Sequence, residues 1–510
     1  MNRHAPALAA LSLSLLLLSC APKVVAPPPA PAVEYWPTDG WRFSTPEEQG
    51  IDSAVLADAI ETLRATHVPI HSLLVERNGF VVLDAYFFPF SDGEPHDVAS
   101  VTKSVLSTLT GIAVGEGRLG DIHQPIGVYF PEMTTIVSDP RTNAITLADL
   151  LSMTSGLDCR DLPDSSLLEK MQESSNWAEF MLARPLTAAP GTIFSYCGGS
   201  MHLVSSAFSR AIGESALHFA NRELFAPLGI GSAVWPSDPQ GASHGWGDLE
   251  LAPRDMAKLG YLWLHNGRWN DRQIVPQGYL QSALSPHVNV QQGIAYGYGM
   301  WLYPGHSPYD FEANGRGGQR ITVVPDENLV TVMTAGGVDA NIVAPLLAKA
   351  VRTVSALPPN PQGVAHLAQA VADAARPPTG VPPTALPAWA VELERTYSLP
   401  PNPLNLRTFS FDFSTPGLAI ARFGFADGRV EQHPVGMDGV PRISAGSGAR
   451  LPIALAGSWR ANAFDLSFDQ IARINAFTLQ IVPANGGMSA RITERTGLAD
   501  VTLLATPLVP

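Results

Sequence analysis

Ser100-Val101-Thr102-Lys103 sets a hydroxyl and an amine three positions apart, which in a helix are neighbouring points of one face. A serine hydroxyl is a weak nucleophile at neutral pH. It becomes useful when an adjacent base takes its proton, and a lysine can act so where burial disfavours its charged form. Two fixed residues are a weak signal alone, so the surroundings carry the argument. Val101, Val105, Leu109, Ile112 and Ala113 recur at helical spacing, so the serine opens a helix with a buried apolar stripe. Upstream, Leu73 to Glu76 and Phe80 to Phe87 flank Asn78-Gly79, which reads as a tight β-hairpin. The serine therefore follows a sheet and begins a core helix, where first-turn amides and the helix dipole favour developing negative charge.

The chain has 510 residues, too many for one hydrophobic core, and its 45% apolar content is that of a folded protein. A net charge of -14 without any Lys/Arg cluster argues against nucleic acid as a partner. Residues 1–20 combine Arg3, a leucine-rich run from Leu8 to Leu18, and Ser19-Cys20. A run of about 15 apolar residues is too short to span a bilayer and reads as a secretory signal. Leu17-Leu18-Ser19-Cys20 resembles a lipobox, which implies a lipid anchor at Cys20 and a periplasmic or outer-membrane protein. Residues 21–40, rich in proline and alanine, are expected to be an extended tether. Cys159 and Cys197 then remain in an oxidising compartment, where a disulfide between them is expected; the alternative is two separate buried thiols.

From 41 to 357, helical and strand patterns alternate as in a mixed α/β domain. Asp52 to Ala65 reads as an amphipathic helix, and Gln319 to Val324 with Leu329 to Thr334 as a second hairpin around Pro325-Asp326-Glu327-Asn328. Val338 to Val354 reads as a closing helix. Residues 358–389 are expected to be a Pro/Ala-rich linker with one short helix, Val364 to Ala375. Beyond 390, period-two segments (408–413, 418–425, 463–468, 476–482, 488–494 and 501–505) predict a small β-sandwich or barrel with a structural or substrate-gating role.

The Ser100-Val-Thr-Lys103 segment, Leu147-Ala-Asp-Leu-Leu-Ser-Met-Thr-Ser-Gly-Leu157, Pro190-Gly191-Thr-Ile-Phe194-Ser-Tyr196 and Arg254-Asp255-Met-Ala-Lys-Leu-Gly260 occur in an order that closely resembles the serine β-lactamase-like hydrolases. That family embraces class C β-lactamases, D-amino-acid peptidases, esterases and nylon-oligomer hydrolases, and the resemblance covers residues 40 to 355. It implies an antiparallel sheet flanked by helices, with an all-helical subdomain. It also implies that Ser100 is the acylated nucleophile, Lys103 its proton acceptor, and Tyr196 a second proton carrier.

Two departures bear on substrate. The third residue of the tyrosine motif, an asparagine or serine in the family, is Gly198 here. The late motif that begins with lysine or histidine aligns with Ala313-Asn314-Gly315-Arg316-Gly317-Gly318-Gln319, so the cation that holds a β-lactam carboxylate is replaced by Ala313. This form resembles the nylon-oligomer hydrolase and esterase branch. The Arg316 amide is expected to join that of Ser100 as the oxyanion hole, and the Arg316 side chain either replaces the missing cation or lies in solvent.

Asp149 and Ser155 read as capping and turn residues, and His244 and Trp246 as loop packing or pocket lining. The thirteen histidines show no H-E-x-x-H spacing, so neither metal nor cofactor is expected, and no G-x-S-x-G elbow occurs. The expectation is a lipid-anchored serine hydrolase of a small-molecule amide or ester. A true β-lactamase or D-alanyl carboxypeptidase, and a catalytically idle envelope-binding lipoprotein, are the alternatives.

Overall fold

The computed structural model describes residues 35–137, 139–161, 166–231, 233–381, 383, 385–446, 451–460 and 462–508. The signal segment, Cys20 and most of the expected tether lie outside these residues. The tether ends earlier than expected, because Trp36 already packs against Tyr261, His265 and Trp269, and the Trp269 indole donates to Thr38 Oγ1 at 2.8 Å. Trp36 and Thr38 thus already pack into the folded unit, ahead of residue 41.

Asn78 and Gly79 both take positive φ (55° and 83°), the conformation a two-residue hairpin turn needs, and they join strands Ile70–Arg77 and Phe80–Tyr86. Strand Leu329–Ala335 pairs antiparallel with Ile70–Arg77, then Gln319–Val324 with Leu329–Ala335, and Asp310–Gly315 with Gln319–Val324. Three further strands, Trp301–Tyr303, Ile294–Tyr296 and Val288–Gln291, complete one side, and Arg42–Phe43 adds a short parallel edge on the other. Alternation along each strand gives this nine-stranded sheet two apolar faces: Leu74 and Val81 belong to one core, Leu73, Val75 and Val82 to the other.

The first core receives the serine helix, Val101–Gly115, and the helical subdomain, with Leu147–Leu151, Trp177–Leu182 and Gly198–Ile212 among its helices. The serine helix is buried on all sides, not along one stripe. Its hydroxyls find partners: Thr108 and Thr110 donate to the carbonyls four residues back, and Ser104 donates to the distant Gly299 O. The second core receives Ser53–Ala65, started by Asp52 accepting from the Ala54 and Val55 amides, together with Ala340–Ala348. The predicted closing helix is thus shorter than 338–354. Residues 358–389 are not a free linker throughout: helix Pro361–Ala374 buries Leu367, Ala370 and Ala374 in the same core as Leu56 and Ile60.

The C-terminal unit is a barrel rather than a sandwich. Ten strands from Tyr397–Ser398 to Asp500–Pro507 form one continuous sheet, closed by a parallel contact of Gly436 with Ala456. Its interior is aromatic, with Phe409, Phe411, Phe423 and Phe464 at 0–2% exposure.

Candidate active site

Ser100 sits at the mouth of the serine helix, after an exceptional backbone step. Ala99 has φ 47°, a left-handed conformation unfavourable for a residue with a Cβ, and its amide is held by Asp97 Oδ1 at 2.8 Å. Burial raises the Asp97 carboxyl to about 6, although the Ala99 amide pulls it the other way. The turn is therefore fixed by an acid removed from water.

Lys103, 2% exposed, donates from Nζ to Ser100 Oγ at 2.8 Å and to Trp246 O at 2.7 Å. The same nitrogen lies 4.9 Å from the centre of the Tyr196 ring. Tyr196 in turn stands in an aromatic wall with Phe194, Tyr296 and Trp301, at centroid separations of 5.7 to 6.5 Å. Burial drives the Tyr296 phenol well above its usual range, so this neighbour stays neutral. The residues expected from distant stretches of sequence, Ser100, Lys103 and Tyr196, thus lie together around one amine, Lys103 buried and the other two half-buried.

The glycine of the late motif has a steric reason to be there. A Cβ on Gly315 would lie 2.5 Å from Val98 O and 3.1 Å from Ala99 Cβ, so the strand end runs directly against the backbone preceding Ser100. The turn Arg316–Gly318 follows, with Gly317 and Gly318 at φ 78° and 98°. The turn thus starts one residue after the strand end that packs on Val98 and Ala99. The Arg316 side chain, however, neither replaces the missing cation nor lies free in solvent: the guanidinium donates to Asn475 Oδ1 at 2.6 Å and to Thr496 Oγ1, with Glu494 at 3.7 Å, all from the barrel.

Thr146 and Asp149 form a reciprocal cap at the start of Leu147–Leu151, and Ser155 bonds to Ser200, which accounts for both acidic and hydroxyl residues structurally. Trp246 contributes its carbonyl to Lys103, while its indole stacks on His244 at 4.5 Å. His244 accordingly packs the loop, and its Nδ1 is 2.7 Å from Asp248 Oδ2.

Two features escape sequence reading. The Trp246 contact is made by backbone, which no residue type announces. Asp161 accepts from the Gly198 amide at 2.6 Å, and its own amide donates to Tyr196 O at 3.0 Å. The one available signal was negative: Gly198 lacks a side chain where the resemblance calls for one. Cys159 and Cys197 are joined in a disulfide, Cα–Cα 5.6 Å, which staples the Asp161 loop to the residue after Tyr196.

The profile of the Beta-lactamase family matches residues 56–353, and the chain belongs to that family. It is 24% identical over 258 residues to the 6-aminohexanoate-dimer hydrolase of Paenarthrobacter ureafaciens, a match over 48% of this chain and 64% of that enzyme. The chain therefore spans just under two thirds of that relative's length. Among solved structures it is similar to a Bacillus anthracis protein provisionally named a 6-aminohexanoate-dimer hydrolase (TM-score 0.50, 21% identity, 62% of this chain and 88% of that one). It is also similar to an octameric penicillin-binding protein homologue from Pyrococcus abyssi (TM-score 0.47, 15% identity, 88% and 99%).

Proposed function

We propose that the chain is a serine hydrolase that cleaves an ester or amide through an acyl-enzyme on Ser100. Ser100 Oγ attacks the carbonyl carbon as Lys103 Nζ takes its proton; Tyr196, beside that nitrogen, relays a proton to the leaving group. The amides of Ser100 and Arg316 receive the developing oxyanion, and water then releases the acid. The observation that carries this reading is the 2.8 Å contact from a buried lysine amine to a serine hydroxyl at a helix mouth.

An ester or amide is favoured over a β-lactam by what surrounds the carbonyl site. Ala313 supplies no cation, and the Arg316 guanidinium is committed to Asn475 and Thr496. The aromatic wall of Phe194, Tyr196 and Trp301 offers an apolar acyl or leaving group a surface. The relative named for cleaving the 6-aminohexanoate dimer supports amides within the range. A fluorophosphonate probe is expected to label the protein and to lose that labelling in Ser100→Ala. Absence of labelling on folded wild-type protein refutes the proposal, and nitrocefin turnover exceeding p-nitrophenyl ester turnover refutes the substrate class.

The lipobox reading adds a lipid anchor at Cys20 and an envelope location. Incorporation of labelled palmitate that disappears in Cys20→Ala tests it.

A further inference from the structure

A cavity of about 850 Å³ is lined both by the hydrolase domain and by the barrel. That volume lies within the range of small-molecule sites, roughly 300–1,000 Å³. Leu63, Ile70, Phe87 and Phe90 give it an apolar wall, and the barrel contributes Asp469 and Arg495. His71 also lines it, 4% exposed, with its ring stacked on Phe90 at a centroid separation of 3.5 Å.

Hydrogen-bond roles along three residues fix the state of His71. His96 Nδ1 is 2.7 Å from Asp97 O, and a carbonyl can only accept, so that nitrogen carries a proton. Burial lowers the His96 pKa to about 4, so the ring is neutral and its Nε2 holds a lone pair. His71 Nδ1, 2.9 Å away, must therefore donate to it. Burial also drives His71 well below the usual imidazole range, with His96 and Arg495 acting in the same direction. Its Nε2 is consequently a bare acceptor, and it meets no donor among the described residues. A Cβ on Gly336 would lie 2.8 Å from this nitrogen and 3.2 Å from Arg495 Nη1. An acceptor and a donor thus face one small space that a glycine leaves open.

We infer that this cavity is a second small-molecule site and that it takes an uncharged alcohol with an aromatic or branched apolar body. A hydroxyl donates to His71 Nε2 and accepts from Arg495 Nη1 through a single atom, while the apolar wall receives the body. A carboxylate is a poorer match, because it brings no proton for His71. The charges that line the cavity are also already balanced: Glu61, Asp373 and Asp469 stand against Arg64, Arg376 and Arg495. Two of these pairs are in contact, Arg376 with Asp373 at 2.8 Å and Arg495 with Asp469 at 3.4 Å. The site is distinct from that of Ser100, since His96 and Asp97 stand between, with the Asp97 carboxyl on the Ala99 amide. It requires no catalytic role for Ser100.

The test follows the fluorescence anisotropy of naphthylmethanol, methylnaphthalene and naphthoate, which share one ring system, as the full chain is added at neutral pH. The alcohol is expected to bind about tenfold more tightly than either of the others, the weight of one hydrogen bond. Gly336→Ala puts a methyl into the shared space at a backbone φ that alanine accepts, against side-chain ends alone. It should bring the alcohol down to the affinity of the hydrocarbon. His71→Phe, which keeps an aromatic ring against Phe90, should do the same, so the reading stands if only one of the two variants folds. Failure of the alcohol to bind folded wild-type protein overturns the proposal. So does undiminished binding in either folded variant, because a probe lodged on the aromatic wall around Tyr196 is indifferent to residues 71 and 336. Naphthoate or methylnaphthalene binding as tightly as the alcohol overturns the assigned ligand class.

Discussion

Arg316 donates from its guanidinium to the Asn475 side-chain carbonyl across 2.6 Å, while its backbone begins the turn after Gly315, the residue packed on Val98 and Ala99. One residue thus belongs to both the crevice and the barrel. The link is reinforced around it: Asp97 donates its amide to Ala472 O at 3.0 Å, Arg473 pairs with Glu250 at 2.7 Å, and a Cβ on Gly317 would meet Ile474 at 2.4 Å. The barrel therefore braces both backbone segments that the proposed mechanism assigns to the oxyanion. Hydrogen bonds to a charged group each contribute about 1.5–3 kcal/mol, so removing two should free the turn. Asn475→Ala combined with Thr496→Val is expected to lower kcat/KM toward a p-nitrophenyl ester roughly tenfold, about 1.4 kcal/mol of barrier, with the barrel still folded by circular dichroism. Unchanged kinetics would show that the clasp is only a domain contact.

Local chemistry made half of this architecture legible. Asn78-Gly79 and Pro325 to Asn328 declare their hairpins because the turn needs those residue types, and Ser100, Lys103 and Tyr196 sit in motifs with fixed internal spacing. What stayed hidden depends on partners far away in sequence. Strands Val430–Gly436 and Ile453–Arg460 carry Pro434 and Gly457, which blur the period-two pattern. The choice between sandwich and barrel rests on one pairing, Gly436 with Ala456, that no segment announces. Helix Pro361–Ala374 sits in proline- and alanine-rich sequence whose composition suggested a spacer, yet its small side chains let it lie close against Ser53–Ala65. Asp161 occupies the space that a side chain at 198 would take, so residue type alone could not reveal its position.

Gly315 offers a sharper test of the crevice. Its φ of -124° is open to any residue, so the requirement is space and not conformation. Gly315→Ala puts a methyl 2.5 Å from Val98 O, the carbonyl that accepts from the Val101 amide in the first turn of the serine helix. Backbone must give way on one side or the other. A misplacement of about 1 Å at a catalytic centre costs on the order of a hundredfold, so kcat is expected to fall by that factor, with fluorophosphonate labelling slowed in parallel. Retention of full activity would mean the two segments separate without consequence.

The disulfide closes a loop with a sequence separation of 38 between Cys159 and Cys197, for which loop-closure entropy predicts about 4 kcal/mol of stabilisation. Both cysteines are at least 95% buried, so mild reductant should act slowly on the folded protein and fully only near its melting temperature. Cys159→Ala/Cys197→Ala is expected to unfold at markedly lower temperature. It should also lose activity below that temperature, because the bond ties the Asp161 loop to Tyr196. A variant that melts early but retains wild-type kcat would assign the bond to stability alone.

Glu76 predicts an alkaline weakness. It is fully buried in strand Ile70–Arg77, accepts from the Gly79 amide at 2.6 Å through one oxygen, and burial raises its pKa to about 8 from an ordinary value of 4.5. Between those two values the folded chain keeps a proton that the unfolded chain has released, so stability falls as pH rises across that window and levels off above 8. At about 1.4 kcal/mol for each pH unit, the loss reaches about 5 kcal/mol at most. Glu76→Gln keeps the acceptor for Gly79 and has no charge to bury. Its stability relative to wild type should therefore increase steadily from pH 5 to pH 8.5, measured by urea denaturation at each pH. A difference that stays flat over this range would mean that the carboxyl is ionised in the folded protein throughout, with an unseen partner inside the sheet.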